Sequence, residues 1–193
     1  QILSLIEDKK SWIVKKQQIN NKIEKAKSTF ECNQQITLHQ HTIKIIRGNT
    51  NKPQIKGRAP NLTIEVPENY NTNTPVFQEH VRDLIVYILK LEAQNHLPKR
   101  IAELAAAHNF KYSKLTLRNN KTNWGSCSGS GNISLNIQLM RLPEKFIDYV
   151  IVHELCHTIH HNHGPNFKRL LSSIMPDAGF IEKEMKKYRT QIF

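Results

Sequence analysis

A helix carrying two histidines one turn apart is written into His153-Glu154-Leu155-Cys156-His157, and a further histidine follows at His163. The pattern is H-E-x-x-H-x5-H. Residues four apart on an α-helix share a face, one turn above the other. His153 and His157 can therefore aim two imidazole nitrogens at one point about 2 Å from each. Glu154 is rotated from them by about 100° of helix. It borders that point without ligating, where a carboxylate can take a proton from metal-activated water. Such an arrangement belongs to a zinc hydrolase, above all a zinc peptidase.

Six residues past His157 is about 600° of helical rotation, so a continuous helix would point His163 away from the metal. The helix must end between them. Asn162 tolerates the left-handed conformation that closes helices, and Gly164-Pro165 prevents continuation. A break here folds His163 back towards the metal. Metzincins share the spacing but carry a glycine inside the gap; His160 stands there in this chain, so that label does not fit. His160 is the main rival for the third ligand, with Glu182 and Glu184 further downstream; otherwise His160 and His161 read as exposed helix-end residues.

The motif lies late in a helix that starts at Pro143-Glu144, with proline at the first position and an acid in the first turn. Phe146, Ile147, Val150, Ile151 and Leu155 form an apolar stripe at helical spacing. Charge buried beside that stripe is costly without a metal. Cys156, between the two helix histidines, reads as a small buried apolar residue. Cys32, Cys127 and Cys156 are odd in number and scattered, which gives no disulfide framework and makes a reducing cytoplasm the default. Cys127 lies in a Gly/Ser-rich turn with no base assigned to it.

Around the motif the chain resembles the YgjP-like metallopeptidase domain, a relative of the SprT-like and WLM groups. The likeness is carried by Thr122-Asn123-Trp124-Gly125-Ser126-Cys127-Ser128 and by Gly131-Asn132-Ile133-Ser134-Leu135-Asn136. It continues through Asp148 to His157 and His163-Gly164-Pro165-Asn166-Phe167. Where the family usually has arginine before the tryptophan, this chain has Asn123; where it often has serine after the third histidine, this chain has Gly164. The resemblance implies His153, His157 and His163 as zinc ligands and Glu154 as the catalytic base, hence a zinc metallopeptidase acting on a peptide or protein. A weaker likeness reaches back to Lys9-Lys10-Ser11-Trp12-Ile13. In similar proteins that segment follows a pair of strands, which implies a natural start upstream of Gln1.

The net charge is +12, and residues 1–60 hold twelve Lys/Arg against four Asp/Glu. A basic front half can track phosphates, and relatives in DNA repair make nucleic acid a second candidate partner. The lysines are scattered rather than striped with aromatics, so a solvated basic surface is the plainer reading. No run of eighteen apolar residues offers a membrane span, and Gln1–Ile13 carries no secretory signal.

Hydrophobic spacing gives an α+β fold: a small antiparallel or mixed sheet packed on helices, zincin-like, with a helical and β-rich N-terminal segment. Residues 1–72 read as a basic helix (2–28) plus a β-hairpin segment, and 73–193 as the zincin-like metallopeptidase domain. The predicted elements are strands over Gln35–Arg47 and Leu62–Val66 with turns at Gly48–Pro53 and Gly57, and helices over Val76–Gln94 and Pro98–His108. Strands over Lys114–Trp124 and Asn132–Asn136 follow, joined by a turn, then the motif helix, a helix over Pro165–Met175 and one from Ile181. Asn132–Asn136 is the candidate edge strand beside the metal, to which an extended peptide adds by main-chain hydrogen bonds. Tyr188, Tyr149 and His160 are the candidates to stabilise an oxyanion. Trp124 reads either as a cleft or as a core residue.

Overall fold

The computed structural model describes residues 29–190; the helix expected over residues 2–28 lies outside them. From Phe30 the described residues belong to one compact unit. It is α+β, with two small mixed sheets and four α-helices.

Four strands form the first sheet: β1 (Gln35–Thr37), β2 (Thr42–Gly48), β3 (Gln54–Arg58) and β4 (Asn61–Pro67), in the order β1-β2-β4-β3. β2 and β4 run parallel, and the outer pairs are antiparallel. Alternation puts Ile43, Ile45, Ile64 and Val66 on one buried face. The single strand expected over Gln35–Arg47 is two, because Leu38–His41 turns: the Leu38 amide donates to the His41 carbonyl. Gly57 lies inside β3 rather than in a turn, at a φ of +100°. A Cβ there would meet the Asn61 carbonyl oxygen at 2.7 Å, so only glycine fits.

Helix α1 (Pro75–Ala107) is continuous where the sequence suggested two helices split before Pro98. Thr74 caps it by accepting from the Phe77 amide. A proline inside a helix costs about 3 kcal/mol and leaves one carbonyl without its donor. Here Gln94 and Pro98 both lie on the exposed face, so the freed carbonyl can turn to water. Ala93, Leu97, Ile101 and Ala105 meanwhile continue the buried face through the proline. Burial of one unbroken stripe outweighs the local breaker.

β5 (Lys114–Arg118), β6 (Gly125–Cys127) and β7 (Asn132–Asn136) form the second sheet, ordered β5-β7-β6. Asn132–Asn136 is therefore the central strand, not an edge. Its Ile133, Leu135 and Asn136 are fully buried, but with polar residues at both ends and Ser134 between, the segment reads as a half-exposed strand. The strand expected over Lys114–Trp124 stops at Arg118, and residues 119–124 cross back to start β6 at the opposite edge. Asn136 holds that crossing in place. Its Nδ2 donates to the Asn120 carbonyl at 2.8 Å and to the Asn123 carbonyl at 2.9 Å, and its Oδ1 accepts from the Gln138 amide at 3.0 Å.

After a 3-10 turn (Ile137–Arg141) come α2 (Glu144–His157), α3 (Pro165–Ile174) and α4 (Ala178–Met185). α2 buries its expected stripe of Phe146, Ile147, Val150, Ile151 and Leu155 and packs against α1, β6, α3 and α4. No helix of the described residues is long and apolar enough to cross a membrane.

Replacing Asn136 by leucine removes its two side-chain hydrogen bonds to the 119–124 crossing while keeping the volume. Unfolding by denaturant is expected to show a loss of about 2–4 kcal/mol, against under 0.5 kcal/mol for the exposed neighbour Asn132→Leu.

Candidate metal centre

Helix α2 brings His153 and His157 onto one face, one turn apart. The chain then leaves the helix: the Thr158 hydroxyl donates to the Leu155 carbonyl at 2.7 Å, and the Ile159 and His160 amides turn back onto the Cys156 carbonyl. The turn needs no left-handed residue at Asn162. Positive φ in non-glycine residues is confined, among the described residues, to Asn33 and Asn109. Asn162 acts instead through its side chain, whose Oδ1 accepts from the Gly164 amide at 3.1 Å. Gly164 then opens α3 with Pro165 at its first position.

These turns return His163 to the helix face. The Nε2 atoms of His153, His157 and His163 lie 3.2, 3.1 and 3.0 Å apart, as a nearly equilateral triangle. Three imidazole nitrogens this close cannot all be satisfied by protons shared among themselves, but together they make a set of donors that could hold one metal ion. Their spacing is near the edge of a tetrahedron with bonds of about 2.0–2.1 Å, which is about 3.3 Å. The protonation states suit the task. Burial, then the neighbouring His157 and His163, pulls the His153 imidazole down to about 4, and burial also lowers His157. Both rings are neutral near pH 7. His157 Nδ1 lies 2.9 Å from the His160 carbonyl, so its proton sits there and the Nε2 lone pair faces the cluster.

Phe167, two residues into α3, packs against all three rings. Its centroid is 4.9 Å from that of His153, 4.5 Å from His157 and 4.9 Å from His163. Phe167 is itself buried, which gives the cluster a rigid apolar back wall.

Glu154 lies beneath β6, only 6% exposed. Gly125 and Cys127, alternate residues of one strand, face it. A Cβ on Gly125 would meet Glu154 Oε1 at 2.7 Å and Cγ at 2.8 Å, so the close approach requires glycine. The carboxylate has no hydrogen-bond partner among the described residues. Burial pushes its pKa from an ordinary 4.5 up to about 7, the range in which a carboxylate serves as a general base.

Other residues raised by the sequence fall elsewhere. His160 contributes its carbonyl to His157 rather than an imidazole to the triangle. Glu184 pairs with Lys187 at 2.7 Å and Glu182 lies 4.0 Å from Lys186. Neither glutamate joins the three histidines. Tyr188 packs at a tilt against Phe146 with centroids 5.1 Å apart, whereas Tyr149 lies beside His153 at 5.8 Å. Burial, Glu182 and Glu154 push the Tyr149 hydroxyl up to about 12, so it stays a proton-bearing donor. Trp124 is half-buried, with the Arg141 guanidinium over its ring. Burial and the Glu154 charge raise the Cys127 thiol, the wrong direction for a nucleophile. Gly125 and Phe167 were within reach of the sequence only as parts of the family-like stretches, because neither carries a polar group that marks it.

An α+β fold with three converging imidazoles and a buried carboxylate has the make-up of a metal-dependent hydrolase. A family model, the YgjP-like metallopeptidase domain, matches residues 1–188. The chain belongs to that family and is a metallopeptidase. None of the curated proteins matches it significantly. Among solved structures it is similar to the metallopeptidase zymogen abylysin of Pyrococcus abyssi, at 22% identity and a TM-score of 0.42 over 47% of this chain and 92% of that one. It is similar also to the zymogen jannalysin of Methanocaldococcus jannaschii, at 23% identity and a TM-score of 0.42 over 47% and 93%.

The raised Glu154 pKa has a stability consequence in the metal-free protein. Folding holds the Glu154 proton more tightly than the unfolded chain does, so this contribution is complete below about pH 4.5 and is lost as pH rises through about 7. At pH 8 metal-free Glu154→Gln is expected to be more stable than wild type by about 1–3 kcal/mol, with the gap closing at pH 4. Denaturant titrations in chelator at both pH values measure it.

Proposed function

We propose that the chain is a zinc-dependent peptidase in which His153, His157 and His163 hold the ion and Glu154 is the general base. The observation that carries the reading is the equilateral triangle of Nε2 atoms, with its tautomer set at His157, next to a buried carboxylate poised near neutrality. Imidazole donors suit zinc, and three protein ligands leave a position open for chemistry. When bound, the ion would supply Lewis acidity, acidifying water and polarising a scissile carbonyl.

The remaining work falls to the chain. Glu154 accepts the proton from the attacking water on its carboxylate and returns it to the leaving amine. Its low exposure and the close cover of Gly125 hold the carboxylate in one orientation, so little reorganisation is needed when the proton moves. β6 is the edge strand over Glu154, and on its outer side the Gly125 carbonyl already accepts from Asn123 Nδ2 at 3.1 Å, a bond that a substrate strand would exchange for its own. An extended peptide can add there as a further strand, with its backbone aligned across the triangle. This reading replaces Asn132–Asn136, which is paired on both sides, as the strand that receives substrate.

Two variants test the assignment. Glu154→Gln should keep its zinc and lose peptide hydrolysis by about a hundredfold or more; a fully active Glu154→Gln protein would sink the proposal. Gly125→Ala should lower kcat about tenfold or more by displacing the carboxylate, with zinc content unchanged. Activity at the wild-type level in that variant would mean that the cover of β6 over Glu154 is not needed.

A further inference from the structure

A second cluster of imidazole and carboxylate groups lies at the opposite end of α2 from the histidine triangle. His39 comes from the β1–β2 turn, His96 from α1 and Glu144 from the first turn of α2. His39 Nε2 is 3.1 Å from Glu144 Oε2, and His96 Nε2 is 3.2 Å from Glu144 Oε1. The two imidazole rings lie 4.3 Å apart, centroid to centroid. One donor atom from each residue falls within 4.8 Å of the others, a spread that small side-chain rotations bring to the about 3.3 Å separation of ligands around four-coordinate zinc. Glu144 precedes His153 by nine residues of one helix, about 14 Å along its axis, so one ion cannot serve both clusters.

Ordinary ion pairing leaves this cluster incompletely explained. His96 Nε2 is cut off from solvent and makes no hydrogen bond, although a carboxylate oxygen is close. Among the described residues the Glu144 carboxylate has no undivided cation as its counterpart. Arg100 does not supply it in full: its Nε is 3.3 Å from Glu144 Oε1, but both Asp148 oxygens hold it more closely, at 2.6 and 2.7 Å. Glu92, fully buried on the same helix as His96, adds another acid, engaged by His41 Nδ1 at 2.6 Å. The pocket therefore combines two nitrogen donors and one oxygen donor, with the acids Asp148 and Glu92 and the guanidinium of Arg100 beside them.

We propose that His39, His96 and Glu144 form a second divalent-metal site, fitted to zinc or to nickel or cobalt by its nitrogen donors. An ion there ties the β1–β2 turn and α1 to the start of the helix whose other end carries the histidine triangle. Glu144, partly exposed, leaves one side open to water as a further ligand.

The test uses the full chain with His163→Ala, which removes the first cluster's third nitrogen and leaves the second intact. After dialysis against zinc and desalting, elemental analysis should find one molar equivalent, and zinc should raise the melting temperature by several degrees. Adding His96→Gln or, separately, Glu144→Gln should abolish both effects while circular dichroism shows each protein folded. A His163→Ala protein that neither keeps zinc nor gains stability from it overturns the proposal. Zinc retained equally in both double variants overturns it as well.

Discussion

Three imidazole nitrogens directed at a common point crowd one another, and the local structure around α2 is arranged to hold them there. The Nε2 atoms of His153, His157 and His163 approach to 3.0–3.2 Å. That convergence needs α2 to stop at His157, the chain to reverse through Thr158–Asn162, and α3 to start at Gly164-Pro165. Phe167 closes the back of the cluster on all three rings, and the His160 carbonyl decides which nitrogen of His157 carries its proton. Each device is local, and each lies within ten residues of a histidine it serves.

Glu154 depends on more distant parts of the chain. Its burial comes from β6, a three-residue strand with little hold of its own. β6 is fixed by pairing with β7 and by the 119–124 crossing, which Asn136 pins from below. β7 rests in turn on the core that α1 and α2 complete. A carboxylate that would ionise readily in water is thus pushed up to about 7 beneath a strand that one buried asparagine helps to hold in place. The sheet contributes to the site through desolvation and cover.

Much of this was legible in the sequence where period and spacing speak directly. The helical pair His153/His157, the flanking carboxylate, the apolar stripe of α2 and the need for a break before His163 follow from 3.6 residues per turn. The manner of the break did not, because a side-chain bond from Asn162 serves in place of a left-handed residue. Pro98 misled, since its cost is local while the stripe through Ala93, Leu97, Ile101 and Ala105 is judged over the whole helix. β7 misled for a related reason: pairing on both edges is a property of the sheet, and no alternation within Asn132–Asn136 encodes it. Gly125 and Phe167 act by size and shape alone, which a spacing argument cannot see.

Everything proposed for Glu154 and β6 depends on the histidine triangle holding a metal ion. Crystals of the zinc-saturated protein, measured on either side of the zinc absorption edge, test it most directly. An anomalous peak is expected within bonding distance of the Nε2 atoms of His153, His157 and His163, with Glu154 beside it and not ligating. An absence of anomalous density at the triangle in zinc-saturated crystals would contradict it.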